Sequence, residues 1–132
     1  MAMPVRNDIV HALKSVWPKD MPMFEENVPL RDTRLETGYV RYQIVFGDPD
    51  QPALLGHDNR IFGTLVLTIA LPHGKGMARV DSLSDLLVSQ LANRRFGRLH
   101  FLGITMGTGA RTGDFWIFDS EIAFAHWPQE TR

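Results

Sequence analysis

The chain contains no cysteine. A disulfide framework, a thiolate metal site and a cysteine nucleophile are therefore excluded. Net charge is also nearly absent: 14 basic residues stand against 15 acidic ones, a formal −1. Proteins that coat nucleic acid usually carry a basic excess, so the balance argues against that role while leaving room for a local basic patch. Long apolar runs are missing too. The most apolar stretch, "TLVLTIAL", falls far short of the roughly 20 residues that a membrane helix needs. The opening "MAMPVRNDIVHALKSVW" carries Arg6, Asp8 and Lys14, so it lacks the apolar centre of a signal peptide. Together these absences predict a soluble protein that is intracellular when made and has no membrane partner.

What remains is ordinary globular composition. The 132 residues are 44% apolar and 22% charged, enough for one domain over residues 1–132 with one core. Val5, Ile9, Leu13 and Val16 recur at helical spacing, which predicts an amphipathic helix over about Pro4–Trp17, ended by Pro18. A Pro-rich connector follows, with a short edge strand near Phe24–Val28. "GYVRYQIVFG" alternates, placing Val40, Tyr42, Ile44 and Phe46 on one face. "RIFGTLVLTIAL" resumes that period, with Ile61, Leu65, Leu67, Ile69 and Leu71 on one side and Phe62, Thr64, Val66, Thr68 and Ala70 on the other. These two strands form an antiparallel pair joined by a long projecting loop, residues 47–59.

Met77, Val80, Leu83, Leu87 and Leu91 predict a second helix, capped by Asp81 or Ser82 and closed before Gly97, with Arg94 and Arg95 at its carboxyl end. "LHFLGITMG" reads as a strand, "TGARTGD" as a turn and "FWIFDSEIAFAHW" as a closing strand, with a loose tail at 128–132. The expected fold is α+β: a mainly antiparallel sheet of about four to five strands, with two helices packed on one face.

Chemistry is harder to find than architecture. "HGKG" at residues 73–76 places a glycine-flanked lysine between strand and helix, where a phosphate loop would be. A Walker loop needs G-x-x-x-x-G-K-[ST]; here Met77 follows Gly76, and no hydroxyl is available for magnesium. The dinucleotide pattern fails as well, so the segment reads as a strand-to-helix turn. The histidines His11, His57, His73, His100 and His126 show no metal-ligand spacing. Asp119 and Glu121 share a strand face and could act as paired carboxylates, but such a pair more often marks a wetted face. Ser82, Ser84, Ser89 and Ser120 lack a nucleophile-elbow setting. "LANRRFGRLHF" interleaves Arg94, Arg95 and Arg98 with Phe96 and His100, a composition that can hold nucleic acid. A helix end with dipole-compatible arginines explains it more simply. No cofactor is expected.

In order along nearly the whole chain, "VRNDIVHALKSVWP", "FEENVPL", "GYVRYQIVFGDPDQPALLG", "RIFGTLVLTIALPHGKGMARVDSLSDLLVSQL" and "DFWIFDSEIAFAHW" resemble the tail terminator (tail completion) proteins of long-tailed bacteriophages and gene transfer agents. The resemblance implies a structural virion protein and not an enzyme. It implies a homo-oligomer, commonly a hexameric ring, that caps the tail tube at the head–tail junction after assembly in the bacterial cytoplasm. Its partners would be the tail tube protein and a head-completion or connector protein, with DNA passing through the ring without sequence-specific binding. Another head–tail joining (neck) protein and a small ligand-binding enzyme are the alternatives. The candidate interface residues are Asp48, Asp50, Leu54, Leu55, His57 and Asp58 on the long loop, with Phe62 and Phe115 on the sheet face turned from the helices. Adjacent Leu54 and Leu55 suit a loop that becomes buried against a partner.

Overall fold

The structure, a computed structural model, describes residues 2–25, 38–47, 61–72, 78–107, 109–112 and 115–127. Helix α1 spans Ala2–Val16 and helix α2 spans Ala78–Gln90. The strands are β1 (Met23–Glu25), β2 (Tyr39–Phe46), β3 (Ile61–Pro72), β4 (Arg95–Phe96), β5 (Leu99–Met106), β6 (Ala110–Thr112) and β7 (Phe115–His126). They form one sheet in the order β1-β2-β3-β7-β5-β4, with β6 also pairing β7. All pairs are antiparallel except β1 with β2 at one edge.

The α+β class is as expected, but the sheet is larger than four to five strands. The unanticipated members are β4 and β6, two and three residues long. At that length a strand has no period to read, so "RF" passes for a helix end and "ART" for part of a turn.

The central strands explain the core. β3 pairs along its whole length with β7 and over eight residues with β2. Alternation sends Val40, Ile44, Leu65, Leu67, Ile69, Leu71, Phe118, Ile122 and Phe124 to one face, where all are buried. Val5, Ile9 and Leu13 of α1, with Leu83 and Leu87 of α2 and Leu91 just beyond it, join these residues in one cluster. Both helices therefore pack on this inner face. One guanidinium nitrogen of Arg79, Nη2, donates to both carboxylate oxygens of Asp20, at 3.1 and 3.4 Å, and ties the start of α2 to the turn after α1.

Several local expectations need correction. Asp81 lies inside the first turn of α2, which begins at Ala78, so it complements the dipole and is not a cap. Asn93, with φ 57°, makes the left-handed turn after α2, while Gly97 belongs to the β4–β5 loop. The loop at 47–59, apart from Gly47, the "HGKG" turn with Met77 and the tail at 128–132 lie outside the described residues.

Candidate interaction surfaces

The sheet face turned away from the helices takes the other half of each alternation. Register sets its rows: Tyr39 beside Ala70 beside Ile117, then Arg41, Thr68 and Asp119, then Gln43, Val66 and Glu121, then Val45, Thr64 and Ala123. Among the described residues no helix covers this outer face. One end of it is aromatic. Tyr39 meets Phe24 edge-on at 6.3 Å and Phe115 edge-on at 5.6 Å between ring centroids. β2 and β7 are not neighbours, so these rings meet across β3. They can do so because the β3 residue between them is Ala70, whose small side chain is fully buried beneath. Val66, Phe62 and Ile117 are half-buried on the same face, and Val45 is 45% exposed.

Phe62 and Phe115 do share the outer face, as the sequence predicts, but they do not form one patch. Phe62 pairs with Ala125 and Phe115 with Pro72, ten residues apart along the strand, about 33 Å. Asp48, Asp50, Leu54, Leu55, His57 and Asp58 lie outside the described residues. Sequence reasoning missed Phe24 and Tyr39. Tyr39 was legible as an outward position of β2, whereas Phe24 reaches it through a parallel pairing that no local pattern announces.

A second feature is a shallow cleft of about 460 Å³ between α1 and the β4–β5 loop, lined by Asp8, His11, Phe96, Gly97 and Arg98. Behind it His126, buried at the end of β7, makes a 2.8 Å hydrogen bond from Nε2 to an Asp8 carboxylate oxygen. This contact pins the last sheet residue to the first helix. Among the described residues no three metal-ligating side chains come together. Of the histidines, His100 sits on the outer side of β5 opposite Arg95, and His57 and His73 are outside the described residues. Ser120 is completely buried on the inner face between Phe118 and Ile122, out of reach of any substrate. Asp119 and Glu121 are both exposed on the outer face. No described helix is long and apolar enough to cross a membrane.

No family model matches the chain, and no curated protein matches it. Ten chains of solved structure do. One of them, whose name states no activity, superposes with a TM-score of 0.68 at 12% identity, covering 96% of this chain and 98% of its own. At that identity the likeness speaks for the fold alone, and it extends over nearly the full length of both chains.

Proposed function

We propose that this chain is the subunit of a homo-oligomeric ring of the tail-terminator type, a structural protein that caps a tail tube and forms the tail side of a head–tail junction. The ring is a hexamer in this reading, assembled in the bacterial cytoplasm, with a tube protein on one side and a head-completion protein on the other. The observation that carries it is the outer sheet face. Both helices pack on the inner face, leaving Val45, Val66 and Ile117 and the Phe24–Tyr39–Phe115 cluster on a broad surface that no described helix covers. The face is mixed, with the rows of Arg41, Thr68 and Asp119 and of Gln43 and Glu121 lying between the aromatic end and Val45. Apolar groups set among polar ones in this way suit a contact with a neighbouring subunit, and a patch that binds a different patch generates a ring when the rotation closes. The sequence resemblance along nearly the whole chain supplies the biological setting.

Native mass spectrometry over a concentration series, repeated with purified tail tubes, tests this reading. The expected result is a closed oligomer, free or on the tube end, with tubes capped at uniform length. A chain that stays monomeric at every concentration and leaves tubes uncapped overturns it.

A further inference from the structure

Near-neutral charge conceals a segregation. Residues 86–113 hold four arginines, one histidine and no acid, leaving ten basic residues against fifteen acidic ones in the rest of the chain. Three of the arginines, Arg94, Arg95 and Arg98, fall within five positions. A helix end accounts for only one of them. The Arg94 guanidinium donates two hydrogen bonds to the Ser89 carbonyl, at 3.1 and 3.0 Å, and so closes α2.

Arg95 and Arg98 belong instead to the β4–β5 hairpin. Phe96 pairs with Leu99 across a two-residue loop, Gly97–Arg98. Gly97 has φ +63°, the left-handed backbone that a type II′ loop needs at its first position. Arg95 sits opposite His100, and its Nε donates to the Gly97 carbonyl at 3.3 Å. All three arginines are exposed. Among the described residues, none has a carboxylate within ion-pair distance.

We propose that the tip of this hairpin binds the phosphate backbone of nucleic acid, with Arg95 and Arg98 as the phosphate-contacting groups and His100 beside them. The choice of basic residue fits. Every cation in 86–113 is arginine, whose planar fork matches phosphate oxygens better than a lysine point charge. A tight hairpin also fixes the backbone beneath both side chains, which lowers the ordering entropy of binding. A bilayer is a poorer match. Of the hairpin's two phenylalanines, Phe101 is fully buried and Phe96 is half-buried against it at 5.8 Å, so the hairpin itself projects no ring to insert between lipids. The contacts proposed go to phosphate oxygens and not to base edges, and binding is therefore sequence-independent.

The inference does not depend on the ring, and its test needs no tail tubes. Fluorescence anisotropy of the full chain with a short mixed-sequence DNA duplex should show binding at low salt. The logarithm of affinity should fall against the logarithm of salt with a slope of about −2 per chain, near one unit per phosphate neutralised. Arg95→Gln with Arg98→Gln should lose about tenfold in affinity while melting at the parent temperature, because both side chains are exposed and Arg94 is left in place. Arg111→Gln, on β6 opposite Trp116 at the other end of β7 from the hairpin, should bind as the parent does. Absence of binding at low salt overturns the proposal. So does undiminished binding by the double variant, an equal loss in Arg111→Gln, or hairpin-dependent binding to anionic vesicles or polyglutamate with none to DNA. A chain that closes into rings yet fails these measurements loses only this inference.

Discussion

Two small residues on β3 decide where the large rings of the sheet can go. Near one end, Ala70 lets Tyr39 and Phe115 meet across the outer face. Near the other, Gly63 lies between Phe46 on β2 and Phe124 on β7, whose rings touch edge-on at 6.2 Å across the inner face. A side chain at 63 would run into the Val45 carbonyl and the Phe124 ring at once. Gly63→Val should therefore destabilise the fold by about 3 kcal/mol, as overpacking against backbone does. Gly103→Ala, where an added methyl meets nothing within 4 Å, should stay within about 0.5 kcal/mol. Urea unfolding of both variants measures the difference, and equal stabilities would mean the ring contact is not what requires glycine.

Tyr42 shows the same dependence on neighbours in its ionisation. Burial and the negative charge of Glu25 raise its phenol above 10.0, against an opposing pull from Arg6. The unfolded chain then releases this proton before the folded one does, so unfolding is favoured as pH climbs past the unfolded value. The contribution is intact below about pH 10 and is lost above it. In Tyr39→Phe, which leaves Tyr42 the sole tyrosine, absorbance should show the folded phenol titrating later than in urea. An identical midpoint in both states would refute the burial argument.

Among the elements, β5 changes face along its own length. Leu99 and Phe101 point into the core, as odd positions should, and then the register with β7 shifts between Phe101 and Ile104. The extra residue makes a bulge, after which Ile104 and Met106 pack against the core in place of Gly103 and Thr105. That shift is why "LHFLGITM" reads as a strand without a clean alternation. β2, β3 and β7 keep one register throughout, so their buried faces were legible residue by residue: Val40 and Ile44, Leu65 to Leu71, Phe118 to Phe124. Both helices were legible from their leucine and isoleucine spacing. The ends of α2 were not, because closure there depends on Asn93 and on a side chain folding back to a carbonyl, which sequence assigns ambiguously among Arg94, Arg95 and Gly97. The division of labour is testable. Arg94→Ala removes two charge-assisted bonds to Ser89 and should lower stability by about 1 kcal/mol. Arg95→Ala should change it by less than about 0.5 kcal/mol. Matching thermal shifts for the two would place both arginines at the helix end after all.

At the scale of the whole molecule, the question is what covers the outer face. The aromatic cluster cannot answer it cleanly by mutation, since Phe115 and Tyr39 also pack edge-on against each other and losing either would weaken the subunit itself. Val45 and Val66 can. Val45 is 45% exposed and Val66 half-buried, in adjacent rows of β2 and β3. On a free subunit, lysines there extend their stems along the sheet and keep their charges in water, so Val45→Lys with Val66→Lys should melt within a few degrees of the parent, a change of about 1 kcal/mol. Inside a subunit contact the same two charges would be taken out of water, and while a lysine at 66 has Glu121 beside it, a lysine at 45 shares its row with Thr64 and Ala123 and has no acid there. The penalty is several kcal/mol per charge, enough to remove a closed oligomer. The double variant should therefore be a well-folded monomer at concentrations where the parent assembles, and it should leave tail tubes uncapped. Rings that form as readily with both lysines in place would show that the outer face is not the subunit contact, and would move the search to the sheet edges at β1 and β4.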